Sequence, residues 1–323
     1  MNRRLQVRVA LLAFLGMVVS APSLISAEPL LLEPISREFG WGRATISFAF
    51  LTMSPMLALA YFVSGRVMDK FGARNVLIPG YVLCGLSLVL LTQLNGSVFQ
   101  LLCLKLVSAL CATLPTGVAF GNIISRHFRD NRGTVLGLCL GAGGGLGMAL
   151  VPLFGAWLLA HGGWRATYLG VGALAIVIGF PVALALPSDA KGARPLTAGP
   201  IQAIPGLDAK IAFRSLTYQI LIAMTFLSCL VIGGIAAHMA AIMTDAGLST
   251  AMAAAALTIF AAMMMVGQFG IGILLDKLRT PRVILPIFPM VLCGVAALQI
   301  SKTEFGLFAG AALIGLGAGS EYG

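Results

Sequence analysis

The chain has 323 residues, of which 59% are hydrophobic and 10% are charged, and its mean hydropathy is +0.99. This composition excludes a soluble globular domain, and the continuous apolar runs exclude the alternating strands of an outer-membrane barrel. The formal net charge of +10 would suit a nucleic-acid partner, but the basic residues lie in loops between apolar runs. The sequence therefore predicts a membrane protein without a nucleic-acid partner.

Ten apolar runs are long enough, at about 20 residues each, to cross a bilayer as helices. Their connections are mostly short and leave no room for a soluble catalytic domain, so we expect the function to lie within the membrane. The sequence predicts an all-α polytopic membrane protein whose spans cover residues 9–32, 46–66, 76–94, 98–123, 134–159, 167–186, 217–243, 251–274, 283–300 and 304–323.

The first span has an alternative interpretation as a cleavable signal peptide. Arg3 and Arg4 precede an apolar run, and the small residues Ser26 and Ala27 would suit a cleavage site. Removal of this segment would leave nine spans and break the symmetry of the chain. We therefore favour a retained membrane helix.

A glycine-rich, charged hinge follows the second span, and a weaker copy follows the eighth. The two copies consist of Gly65, Asp69, Lys70, Gly72 and Arg74, then of Gly272, Asp276, Lys277 and Arg282. This repetition predicts a first half at 1–186, a polar cytoplasmic linker at 187–215 and a second half at 216–323. The aspartate of such a hinge can accept hydrogen bonds from the N-terminus of a neighbouring helix. This contact can hold the helices in one of two arrangements, in which one side of the membrane is closed off. The alternative is a plain basic loop.

Most of the 21 Lys and Arg residues fall in alternate loops. Because cytoplasmic loops carry an excess of Lys and Arg, this bias places both chain ends and the linker in the cytoplasm. We expect an integral, multi-pass protein of the bacterial inner membrane, in contact with the lipid bilayer along its spans.

Lys105 lies about seven residues, or ~10 Å, into the fourth span, where an unpaired ammonium group is costly. Glu28 lies at a similar depth in the first span, so the two side chains can pair if both helices line one cavity. We expect Lys105 to face a cavity and bind the carboxylate of a substrate, while Glu28 takes up a proton. The alternatives are snorkelling of Lys105 to the outer interface and an ordinary interfacial carboxylate at Glu28.

Three further polar residues in the second half are candidate contacts for substrate or protons. Glu321 is a second candidate for proton coupling, whereas His238 and Gln268 are candidate substrate contacts. Histidine and glutamine in a span can instead bond to a carbonyl group of a neighbouring helix.

The fifth span is rich in glycine between Gly137 and Gly147. A phosphate loop would need a Gly-Lys-Ser/Thr motif after a strand, which the sequence lacks, so close helix packing explains these glycines. The six cysteines lie inside spans without CxxC spacing, and no nucleophile accompanies a base and an orienting acid. We expect neither an enzyme, nor a cofactor, nor a metal site.

The first hinge resembles the signature loop between helices two and three of the major facilitator superfamily, Gly-x-x-x-Asp-Arg/Lys-x-Gly-x-Arg, at every defining position. The second copy has Arg279 where the later glycine would stand. The stretches 38–47 and 315–321 are similar to helices two and ten of the monocarboxylate and oxalate/formate branch. The resemblance further implies an arginine in helix four where Lys105 stands, and a glycine where Ala109 stands.

The resemblance implies a major-facilitator fold of two pseudo-symmetric six-helix halves that rock about a central site. Ten of the twelve expected helices are present, so we expect a C-terminally truncated chain. We expect a monomeric secondary active transporter that moves a small, monocarboxylate-like organic anion by proton symport or exchange. The alternatives are an efflux carrier for apolar drugs, favoured by the methionines at 263–265, and a non-transporting membrane protein.

Overall fold

The computed structural model describes residues 3–128, 131–187, 214–278, 280, 283, 285–301 and 303–321. Among these residues the regular structure is helical and includes no β-strand, which confirms the predicted all-α fold. The α-helices are α1 (Arg3–Val18), α2 (Ala21–Ile25), α3 (Leu32–Phe39), α4 (Arg43–Phe71), α5 (Ala73–Leu90), α6 (Val98–Ala112), α7 (Gly117–His127), α8 (Arg132–Leu136), α9 (Gly144–Leu174), α10 (Phe180–Ala185), α11 (Leu216–Asp245), α12 (Thr250–Leu278), α13 (Ile287–Ile300) and α14 (Glu304–Glu321). Short 3₁₀ turns (Glu28–Leu31, Leu91–Gln93) and π-helical segments (Gly137–Gly143, Ala175–Gly179) join some of them.

Six helical stretches of the described chain are long and apolar enough to cross a membrane, namely Arg3–Phe39, Ala73–Gln93, Val98–His127, Arg132–Ala185, Leu216–Ile235 and Ala255–Leu278. The stretch Arg132–Ala185 has 54 residues, more than one crossing needs. It turns at Gly163, where φ is 73°, a backbone conformation that suits glycine. The fifth and sixth predicted spans are the two legs of this stretch.

The first crossing is interrupted before it reaches Glu28. Pro22 stands near the start of α2 and Pro29 near the start of the 3₁₀ turn, where a missing N–H group breaks no helical bond. The Ala21 N–H group donates to the carbonyl of Pro115, in the gap between α6 and α7, at 3.0 Å. Backbone breaks at membrane depth are tolerated when neighbouring protein satisfies the freed groups. The interruption leaves Glu28 at the first position of a turn.

Packing divides the chain into two units. The first holds the residues up to Asp189 together with Gln268–Thr280, and the second holds Ala190–Gly267 and Pro281–Tyr322. The predicted division into halves at the linker 187–215 stays a prediction, because residues 188–213 lie outside the described part of the chain.

In the first unit, glycines of the fifth span let α1 approach the π-helical segment and α9 closely. A methyl group at Gly147 would overlap the carbonyl oxygen of Val18 and the side chain of Ser23. A methyl group at Gly143 would also be crowded by the α1 backbone. The predicted packing role of this glycine run agrees with these contacts.

In the second unit, glycines bring α14 against two other helices. A methyl group at Gly315 would overlap the carbonyl oxygen of Phe260 on α12, and one at Gly319 would overlap that of Met264. Gly294 of α13 likewise lies against the backbone of α14. The backbones are therefore close enough that larger residues at these positions would separate the helices.

A polar cluster joins α3 to the second leg of α9. Glu38, beyond the apolar run 9–32, accepts a hydrogen bond from the Trp164 indole N–H at 2.6 Å and pairs with Arg165 at 2.7 Å. Arg165 also donates to the carbonyl of Thr92, between α5 and α6, at 3.3 Å. The cluster thus ties together three segments at one end of the first unit.

Gly147→Ala should destabilise the protein, because the added methyl group would overlap the α1 backbone. Overpacking of this kind costs about 2 kcal/mol. Gly234→Ala is the matched control, since an added methyl group on this face of α11 meets nothing within 4 Å and alanine favours a helix over glycine. Thermal unfolding of the two purified variants checks the prediction, and equal melting temperatures would contradict it.

Candidate functional site

The two charged residues expected within spans form a buried ion pair in the first unit. The Lys105 ammonium on α6 donates to Glu28 Oε1 at 2.6 Å, and the side chains are only 4% and 3% exposed. The partners are 77 residues apart in the chain. The structure thus brings together the two residues that the sequence predicts as a pair, and their role in transport stays a prediction.

Tyr168 is the second partner of the ammonium. Lys105 Nζ donates to the Tyr168 hydroxyl oxygen at 3.2 Å and lies 5.6 Å from the centre of its ring. Tyr168 is on the second leg of α9 and is 3% exposed. The sequence analysis did not predict a role for Tyr168. The feature that could have indicated one is a polar aromatic side chain near the outer end of the sixth span, at a depth similar to those of Glu28 and Lys105.

Glu28 uses one of its two carboxylate oxygens in this contact. Its Oε2 atom is buried and has no hydrogen-bond partner among the described residues. The side chains around Glu28 are mostly apolar and comprise Leu24, Ala27, Leu31, Leu88, Thr167, Tyr168 and Val171. A buried carboxylate oxygen without a donor is costly, so this atom can gain from a proton or a hydrogen-bond donor.

In this conformation the Lys105 ammonium is in direct contact with its neighbours, and the expected cavity beside it stays a prediction. The ammonium group is enclosed by Glu28, Tyr168 and the packed helices of the first unit. Snorkelling to the outer interface does not describe it, because the side chain is buried and paired. An ion pair of this kind holds its helices together only while both charges are present.

The second hinge closes against the start of a helix. Oδ1 and Oδ2 of Asp276 accept hydrogen bonds from the backbone N–H groups of Gly133 at 2.9 Å and Thr134 at 2.6 Å. These N–H groups belong to α8, which continues into the π-helical segment, and the first N–H groups of a helix lack partners within it. Gly272, one turn earlier on α12, lies in direct backbone contact with Gly133. The Gly-x-x-x-Asp spacing therefore provides both the close approach and the acceptor.

The first hinge has glycine, aspartate and lysine at the corresponding positions, but its contacts are different. Gly72 ends α4 with φ of 84°, and its N–H group donates to the Met68 carbonyl at 2.8 Å. Arg74 donates to the Leu184 carbonyl at 2.8 Å. Asp69 and Lys70 are exposed, and a methyl group at Gly65 would meet nothing within 4 Å. In the second copy Lys277 is exposed and Arg282 lies outside the described residues.

The other candidate residues lie elsewhere. His238 is exposed on α11 of the second unit. Gln268, grouped with the first unit, packs its side chain against Gly141 of the π-helical segment. Glu321 ends α14, and its side chain lies outside the described ones. Among the described residues, no three His, Cys, Asp or Glu side chains are grouped to hold a metal ion.

Comparisons with known proteins agree on a family and a fold. A sequence model described as Major Facilitator Superfamily matches residues 10–323. Human monocarboxylate transporter 2 is 32% identical over 130 residues, which are 38% of this chain and 26% of that protein. The match thus spans about a quarter of the length of this relative.

A solved structure matches the whole chain. It is the proton:xylose symporter XylE of the same superfamily bound to 6-bromo-6-deoxy-D-glucose, with a TM-score of 0.67 over 100% of this chain and 82% of the other. At 14% sequence identity the likeness shows the fold alone.

Glu28→Gln should destabilise the first unit by about 3 kcal/mol, because it leaves a buried ammonium group without its counter-charge. The double variant Glu28→Gln/Lys105→Met should recover most of this loss, since both charges are then absent. Thermal unfolding of the wild type, both single variants and the double variant measures the coupling of the two sites. Losses that simply add would show that the pair contributes no interaction energy.

Proposed function

Because the chain belongs to the Major Facilitator Superfamily, we propose that it is a secondary active transporter of a small organic anion. The observation that carries the proposal is the buried pair of Glu28 and Lys105. An ammonium group inside a membrane helix is costly and marks a substrate, ion or proton pathway, and a substrate carboxylate can replace Glu28 as its counter-charge. The partial match to a protein named as a monocarboxylate transporter supports the same substrate class.

The pair suggests how anion and proton can be coupled. In the closed pair the positive charge of Lys105 is balanced by Glu28, so an anionic substrate must compete for the ammonium group. Protonation of Glu28 removes that competition, and the substrate carboxylate then restores the balance. One proton and one monovalent anion together leave the charge of the site unchanged, which avoids an uncompensated charge within the membrane. Either symport or exchange can use this step.

The second hinge supports a gate. Asp276 holds the end of α12 on the start of α8 through two backbone N–H groups. Both hydrogen bonds break together when the two helices separate. They can therefore stabilise one access state of the transporter and be lost when its halves rock into the other. The first hinge has matching residue types, and we assign it the same role.

The protein is an integral, multi-pass membrane protein. We further propose that it acts as a monomer in the bacterial inner membrane, with its N-terminus in the cytoplasm, as the loop charges indicate. Efflux of apolar compounds is the competing function, and the methionines at 263–265 of α12 are the feature that favours it. A non-transporting protein is the third alternative.

Uptake into liposomes by the purified chain tests the proposal. Accumulation of a small labelled monocarboxylate should rise with an inward proton gradient and collapse with an uncoupler. Lys105→Ala should reduce uptake at least about tenfold, corresponding to the loss of about 1.4 kcal/mol of substrate interaction. Lys191→Ala, in the linker, is the control and should transport normally.

Two results would contradict the proposal. Unchanged monocarboxylate uptake by Lys105→Ala would remove the ammonium group from the site. Extrusion of apolar dyes without carboxylate uptake would favour the efflux alternative, and absence of both activities would favour a non-transporting protein.

Asp276→Asn should slow turnover several-fold at saturating substrate while changing the KM little. The amide keeps one acceptor oxygen but loses the charge that interacts favourably with the start of α8. Asp245→Asn, at an exposed position at the end of α11, is the control. A normal maximal rate in Asp276→Asn would argue against the gate.

A further inference from the structure

The acceptors of the Lys105 ammonium include a carboxylate and a phenol. Glu28 Oε1 lies at 2.6 Å and the Tyr168 oxygen at 3.2 Å. We propose that Tyr168 is a positioning residue, which holds Lys105 in place while Glu28 carries a proton. This inference rests on the proposed function, because it concerns the step in which Glu28 releases the ammonium group to the substrate.

The need for such a residue follows from the surroundings. Within an apolar helical bundle, an ammonium group that loses an acceptor is expensive. When Glu28 is neutral, it no longer attracts the ammonium group as an ion. The Tyr168 oxygen remains an acceptor whether or not Glu28 is charged. Tyr168 thus reduces the difference in stability between the two states of Glu28.

The geometry of Glu28 allows the proton to arrive without disturbing this contact. Its free oxygen, Oε2, is not the one that accepts from Lys105. A proton on Oε2 therefore leaves Lys105 between Oε1 and Tyr168. The ammonium group stays at the place where the substrate carboxylate is to bind.

Tyr168 is itself held firmly, as a positioning residue must be. Tyr168 packs edge to face on Trp164, with the ring centroids 6.2 Å apart and the ring planes at 88°. The Trp164 indole is fixed by its bond to Glu38. The neighbouring Thr167 hydroxyl donates to the carbonyl of Gly155 at 3.3 Å, which joins the two legs of α9.

Among the described residues, Lys105 of α6, Tyr168 of α9 and Cys84 of α5 interact electrostatically with Glu28. Glu33, on the adjoining α3, is 72% exposed and pairs with Arg37.

The test compares Tyr168→Phe with Tyr81→Phe in the full chain. Tyr81 is also buried in the first unit, but its hydroxyl donates to the Gly16 carbonyl at 2.6 Å instead of accepting from Lys105. Each purified protein is titrated in lipid nanodiscs while the infrared band of protonated carboxyl groups is recorded. The variant Glu28→Gln/Lys105→Met, which lacks the carboxyl group without stranding the ammonium group, identifies the Glu28 contribution.

In Tyr168→Phe the midpoint of the Glu28 band should move to more acidic pH, because the hydroxyl supports the ammonium group more when Glu28 is neutral than when it is ionised. The upper limit is about one unit, the size expected if the whole hydrogen bond to the charged group acted only in the neutral state. Tyr81→Phe should leave the midpoint where it is. In liposomes, half-maximal uptake by Tyr168→Phe should likewise require a more acidic medium, by a similar amount.

The infrared result does not depend on transport, so the two proposals fail separately. An unshifted midpoint in Tyr168→Phe, an equal shift in Tyr81→Phe or the absence of a Glu28 band overturns the role of Tyr168. A shifted midpoint in a chain that moves no carboxylate supports the role of Tyr168 on Glu28 and contradicts the proposed transport function.

Discussion

Glu28 lies among Leu24, Leu31, Leu88 and Val171, and Lys105 is buried in contact with it. The two charges tolerate burial only because each compensates the other. The Glu28–Lys105 pair therefore constrains the first unit in a way that apolar contacts do not. It fixes the rotation of α6 about its axis, the position of the 3₁₀ turn and the distance between them. Because the two charges compensate each other, the loss of either one would destabilise the whole arrangement.

The helices around the pair are shaped by glycine and proline. Pro22 and Pro29 break the first crossing so that Glu28 begins a turn, and Gly147 lets α1 lie against α9. Gly163 reverses the chain, so that the second leg of α9 carries Tyr168 back to Lys105. Small residues allow backbones to touch and proline frees backbone groups, and together they produce irregular helices that still satisfy their hydrogen bonds.

The second hinge applies the same principles at a helix end. Gly272 brings α12 into backbone contact with α8, and Asp276 satisfies two N–H groups that no helical carbonyl can reach. The buried pair and the hinge are both polar contacts that exist only in a particular packing of the helices. An intermediate arrangement of the helices would leave charges or N–H groups without partners. Such contacts therefore favour well-defined helix arrangements over intermediate ones.

The sequence by itself determined the all-α membrane fold and the family resemblance and predicted ten spans, because apolar length and the hinge at Gly65 to Arg74 are local properties of the chain. It also predicted that Glu28 and Lys105 can pair, since charges at similar depths in apolar spans need partners. Only the tertiary structure decided that Tyr168 joins them, that Glu28 Oε2 is unpartnered and that the second hinge engages α8. These contacts join residues 63 to 143 positions apart, and they depend on helix rotation and approach. Periodicity cannot fix either quantity in a helix that is apolar on all sides, because lipid and protein interior favour the same side chains.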